Sequence, residues 1–145
     1  MSLNIQIVFP MCAMFLLTVC VLLKVLIGRY SAVRSGTTRL SFFKTFQGQE
    51  PEESVQAVRH FANLFEAPVL FYVACLLGMI LPVQGFPFVV CAWMYVIART
   101  LHAFIHLGKN DVLKRMRAYV LGWLMLIAMW ILIVIKATII LTPSR

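Results

Sequence analysis

The stretch VQAVRHFANLFEAPVLFY, residues 55–72, carries Arg59, Asn63 and Glu66 in otherwise apolar surroundings. At spacings of four and three residues on a helix of 3.6 residues per turn, the three side chains fall within about 60° of one another. A guanidinium, an amide and a carboxylate at membrane depth normally face a bundle interior, a wet cavity or each other. A second stripe follows in YVIARTLHAFIH, where Tyr95, Arg99, His102 and His106 share one helical face. Two polar faces, each with an arginine, are expected to converge on one pocket. The plainer expectation is a structural network in which Arg59 pairs with Glu66 or with a neighbouring helix.

The HxxxH spacing of His102 and His106, joined by Glu66, would also suit a metal. No HExxH motif or cysteine partner accompanies it, and Arg59 and Arg99 oppose a dication. Interior histidines hydrogen-bonded to polar partners or ligand are expected, and no metal.

The elements that position these groups are membrane spans. Of the 145 residues 62% are hydrophobic and 12% charged, and mean hydropathy is +0.93. Soluble domains average about 45–50% apolar and 25% charged residues. The net charge of +8 therefore points to an anionic lipid surface or small molecule, not nucleic acid. Cys12, Cys20, Cys75 and Cys91 lie in apolar runs without a CxxC pair; they read as packing residues, not a metal or redox framework.

A membrane helix needs about 20 mostly apolar residues. Four such spans are predicted, about 5–27, 54–81, 86–107 and 117–141, within a single domain of residues 1–145. The N-terminal run lacks a positive n-region and reads as a retained first span. Lys24 is placed to snorkel to the interface near the end of that span. Pro51 suits a helix start, and Glu50, Glu52 and Glu53 suit the positive end of its dipole. Pro68 is tolerated in a membrane helix as a kink. The turn 82–85, PVQG, is short and uncharged, so neighbouring spans run antiparallel in an all-α up-down bundle.

The loops are asymmetric. Arg29, Arg34, Arg39 and Lys44 lie in 28–53; Lys109, Lys114 and Arg115 lie in 108–116, with Arg117 just beyond. These are eight of the thirteen Lys and Arg residues. The positive-inside rule puts both loops in the cytoplasm and both termini on the opposite side.

The run R59-H-F-A-N63-L-F-E66-A-P68, with Y95-V-I-A-R99-T-L-H102, resembles the pattern of the MAPEG family, membrane-associated proteins in eicosanoid and glutathione metabolism. The likeness covers the whole chain, including four spans, a long basic first loop and a short second turn. It implies a four-helix bundle assembled as a homotrimer, with glutathione as co-substrate between subunits near the cytoplasmic face. Arg59, Asn63 and Glu66 would hold the tripeptide and Arg99 would support them. Arg115 or Arg117 would stabilise its thiolate, and Arg29 or Arg34 would clamp a carboxylate. His102 and His106 stand where thiol-adding eukaryotic members have tyrosines, and RTLHAFIHLGKNDVLKR resembles a bacterial branch, hence an inner-membrane location. The implied activity is transfer of glutathione to, or peroxide reduction of, a lipophilic small molecule dissolved in the bilayer. The alternative is a non-catalytic membrane protein whose polar pocket binds lipid or fixes the trimer.

Overall fold

The structure, a computed structural model, describes residues 3–46, 51–81, 83 and 85–142. Glu50 and the turn residues Pro82 and Gln84 lie outside the described residues. The described chain is helical without strands: α1 (Leu3–Gln6), α2 (Val8–Arg34), α3 (Phe42–Thr45), α4 (Glu52–Asn63), α5 (Ala67–Ile80), α6 (Phe86–Leu107) and α7 (Val112–Leu141). Four units are long and apolar enough to cross a membrane: α2, α4 with α5, α6 and α7. The protein is an integral membrane protein built as a four-span up-down bundle.

Two helices outrun their apolar stretches at the basic end. The 27 residues of α2 and 30 of α7 rise about 40 and 45 Å, against a hydrocarbon core of about 30 Å. The extra turns carry Arg29 and Arg34 on α2, and Lys114, Arg115 and Arg117 on α7. Helix α7 begins at Val112 because Asp111 caps it: Oδ1 accepts from the Lys114 amide at 3.1 Å. The cap amide holds the Asp111 carboxyl below its usual value, as expected for a carboxylate accepting from a helix N-terminus.

The second span is two helices. Pro68 has no amide hydrogen for the Leu64 carbonyl and its ring crowds that turn. Ahead of it the chain tightens into shorter bonds, Phe65 N to the Ala62 carbonyl at 2.9 Å and Glu66 N to the Asn63 carbonyl at 3.4 Å. Glu66 then precedes α5, which has proline in its first turn. The expected kink is thus a break, and Asn63 and Glu66 flank it. Pro51 and the acidic residues Glu52 and Glu53 start α4 as the sequence suggests.

The tightest seam joins α6 and α7. Small buried residues, Ala98 and Ala103 on α6 and Ala118 and Gly122 on α7, let the backbones approach. A methyl added at Gly122 would meet the Arg99 Cδ at 3.6 Å and the Ala98 Cβ at 3.7 Å. The apolar core gathers Met14 and Val21 of α2, Phe71 and Cys75 of α5, Phe88 and Tyr95 of α6, and Leu126 and Met129 of α7. Phe71 and Tyr95 stack with ring centroids 4.6 Å apart. Lys24 donates to the Leu107 carbonyl at 3.0 Å, tying α2 to the negative end of α6.

Candidate functional site

At the basic end a cavity of about 410 Å³ opens between α4, α6, α7 and the α4–α5 break. Arg59, Asn63, Glu66, His102, His106, Arg115 and Tyr119 line it with two apolar residues. Both predicted stripes therefore meet, with the start of α7 as a third wall.

Asn63 is the hub. Its amide nitrogen donates to Glu66 Oε2 at 2.9 Å. Arg99 Nη2 donates to Asn63 Oδ1 at 2.6 Å and to its main-chain carbonyl at 3.2 Å. That carbonyl lies at the helix break, so an arginine from α6 stabilises the end of α4. Non-helical backbone at membrane depth persists only where it is buried in protein or lines a cavity. Arg99 is 1% exposed, lies behind the lining, and sets its guanidinium 5.6 Å from the Tyr119 ring centroid. Its role in the geometry is support.

Arg59 and Glu66 face the cavity without pairing. Among the described residues, ion pairing within 4 Å is confined to Lys114 and Asp111. The expected alternative of an Arg59–Glu66 bridge is therefore absent from the described structure.

Arg115 and Arg117 separate clearly. Arg115 lines the cavity and donates through Nη1 to Asn110 Oδ1 at 2.6 Å. Asn110 ends the α6–α7 turn at φ 51°, a left-handed conformation that asparagine tolerates, and its amide donates to the Ile105 carbonyl at 2.9 Å. Arg117 is exposed and outside the lining. Arg34 is exposed at the end of α2, and Arg29 lies 5.2 Å from the Phe43 ring centroid. Neither lines this cavity.

All three histidines of the chain meet here. His60, which lies off both predicted stripes, is fully buried on α4. Its ring stacks on His102 at 5.4 Å and meets His106 at 5.0 Å; His102 and His106 are 5.7 Å apart. His102 Nδ1 lies 3.1 Å from the Arg115 carbonyl, and Gln56 donates to the His106 carbonyl. Both ring nitrogens of His60 and Nδ1 of His106 are buried without a partner. Among the described residues no set of three His, Cys, Asp or Glu side chains is arranged to hold a metal. The available signal for His60 was numerical: a chain this apolar with only three histidines, all within two predicted spans.

A second, wholly apolar groove of about 330 Å³ runs along α5 and α7, lined by Leu70, Trp123, Trp130 and neighbours. It adjoins the polar cavity through Tyr119 and Trp123, whose ring centroids are 6.4 Å apart.

No curated protein and no solved structure matches the chain. The model of the MAPEG family matches residues 7–135, which take in both polar stripes and all but the end of the fourth span. This membrane protein, with its paired polar stripes at the basic end of a four-span bundle, belongs to the MAPEG family.

Proposed function

We propose that the protein binds glutathione in the cavity at its basic end and joins the thiol to, or uses it to reduce, lipophilic electrophiles from the bilayer. The observation that carries this is Arg59 and Glu66 facing one cavity without pairing to each other. Taking unpaired charges to membrane depth costs about 2.5–3.5 kcal/mol each even on lenient scales. A ligand with complementary charges offsets that cost. Glutathione has two carboxylates, one ammonium and a thiol. Arg59 suits a carboxylate, and Glu66 suits the ammonium. The cavity volume lies within the roughly 300–1,000 Å³ usual for small-molecule sites.

Asn63 and Arg99 hold the break that presents Glu66, and His102 and His106 complete the wall. Arg115, fixed by Asn110, is the cation placed to stabilise a thiolate; Arg117 is not. The adjoining apolar groove suits the lipophilic partner. Family membership supports glutathione as co-substrate and a homotrimer. Arg34 would join the site only from a neighbouring subunit. The basic end faces the cytoplasm, in keeping with the distribution of Lys and Arg, and the membrane is a bacterial inner membrane.

One observation favours the second reading, a non-catalytic pocket that binds lipid or fixes assembly: Arg99, Asn63 and Glu66 are joined by hydrogen bonds of the protein's own side chains. Two measurements on purified protein separate the readings. Calorimetry with reduced glutathione is expected to give saturable binding, and a chromogenic aryl halide is expected to be conjugated faster than in protein-free buffer. Absence of both results overturns the enzyme reading.

A further inference from the structure

Two of the three clustered histidines, His102 and His106, line the cavity. The hydrogen-bond pattern of the cluster assigns a proton. The Arg115 carbonyl can only accept, so the 3.1 Å contact with His102 requires the hydrogen on Nδ1. A neutral His102 then carries its lone pair on Nε2. The ring plane is fixed from α4 by the stack with His60 and from α7 by the carbonyl bond and by Tyr119, 5.5 Å away. A base oriented by a second group, on the wall that also bears Arg115, is the arrangement needed to take a proton from a nucleophile.

We propose that His102 is the general base of this site, accepting the thiol proton of glutathione at Nε2 while Arg115 faces the resulting thiolate; this rests on the glutathione reading above. The S–H bond breaks with its electron pair left on sulfur, and the proton moves to Nε2. The sulfur pair then forms the S–C bond to the electrophile, whose leaving group departs with its bonding pair. The imidazolium releases its proton to water through the cavity. His60 and His106 are positioning residues that hold the ring.

The charges around His102 decide where the proton rests. From α4 it is faced by His60 and Arg59, and from the start of α5 by Glu66. Within α6 its neighbours are Arg99 and His106, and from α7 they are Arg115 and Tyr119. The three guanidinium groups repel a lone imidazolium. The thiolate formed in the same step, with Glu66, offsets them. Transfer within the complex makes a cation–anion pair and leaves the net charge of the site unchanged.

Reduced glutathione is titrated into the purified, assembled protein at neutral pH in two buffers of different ionisation enthalpy, while thiolate absorbance is followed in the ultraviolet. S-methylglutathione, which has no thiol proton, sets the baseline. Wild type is expected to develop the thiolate band with no proton released beyond that baseline. His102→Asn keeps a donor for the Arg115 carbonyl but has no base. It is expected to bind glutathione with a Kd within a few-fold of wild type, lose the band, and lose about 100-fold or more in kcat/KM. His102→Gln is the second variant, and signals are normalised to bound ligand.

A thiolate band that persists in His102→Asn, with a proton released to buffer, overturns the proposal and leaves glutathione binding intact. So does a wild-type complex that releases one proton per ligand, or that binds without a band. If neither variant folds, the wild-type proton count decides. No binding of either ligand to wild type removes the glutathione reading as well.

Discussion

His102 Nδ1 and the main-chain carbonyl of Arg115 lie 3.1 Å apart, so one bond fixes the histidine wall of α6 against the arginine wall of α7. The same turn of α7 sends the Arg115 side chain back to Asn110. Asn110→Ala removes that acceptor and frees the guanidinium. Thiol conjugation is expected to fall about ten- to hundredfold, the effect of losing one charge-assisted hydrogen bond worth about 1.5–3 kcal/mol. Arg117→Ala, outside the lining, is expected to retain wild-type rates. Equal losses in both variants would contradict the assignment.

Asn63 and Arg59 share a stripe but differ in support. Asn63 accepts from a buried arginine, whereas Arg59 is exposed to the cavity. Asn63→Leu removes the side-chain acceptor of the buried Arg99 guanidinium and leaves it only the main-chain carbonyl there; it is expected to lower stability by about 1–3 kcal/mol. Arg59→Ala is expected to leave the unfolding midpoint in detergent nearly unchanged while weakening ligand binding. Midpoints that shift in the opposite order would contradict this division.

A glycine in the core offers a packing test. A Cβ at Gly78 would sit 2.6 Å from Cε1 of Phe88, a ring only 1% exposed. Gly78→Ala is expected to cost about 1–3 kcal/mol through overpacking. Gly122→Ala meets neighbours only at ordinary contact distance and is expected to be tolerated. Thermal unfolding of both variants in one detergent checks the contrast.

The four spans were legible because hydropathy and length are local properties, and the two polar stripes because helical spacing is. The break at Asn63 was not, since the Arg99 that braces the Asn63 carbonyl there arrives from another helix. Pro68 alone gave a kink. Arg115 and Arg117 are not distinguished by hydropathy, which starts the fourth span at about 117. The Asp111 cap fixes the start at Val112 and puts Arg115, Tyr119 and Gly122 on one face. An Asp followed by an apolar run is a signal that sequence reading can use. His60 sits about 100° around the helix from Arg59, off the stripe, and its importance rests on partners from α6.

The Asp111 cap predicts one acid effect. Its carboxyl is held below the ordinary value of 3.8, chiefly by the Lys114 amide. A carboxyl lowered in the folded state contributes stability that is full above the unfolded value and lost as pH falls through the folded one. Asp111→Asn, which still accepts a hydrogen bond but does not titrate, is expected to flatten the acid limb of the stability profile below about pH 4. An unchanged limb would show that the cap does not contribute.

Orientation is tested by single cysteines at Ser41, Lys109 and Gly85 in a background lacking Cys12, Cys20, Cys75 and Cys91. Ser41 and Lys109 are expected to label from the cytoplasmic side and Gly85 from the other. Labelling of Gly85 and Lys109 from one side would contradict the span order.

The central claim is that Arg59 and Glu66 stand unpaired because a ligand pairs them. The most direct measurement is glutathione affinity and unfolding midpoint, taken on one preparation each of wild type and Glu66→Gln. Glutamine keeps an acceptor for the Asn63 amide and deletes one charge. The account predicts a ten- to hundredfold loss of affinity, about 1.5–3 kcal/mol, with a nearly unchanged midpoint. A strongly lowered midpoint with glutathione bound as before would make the stripe a scaffold and contradict the account.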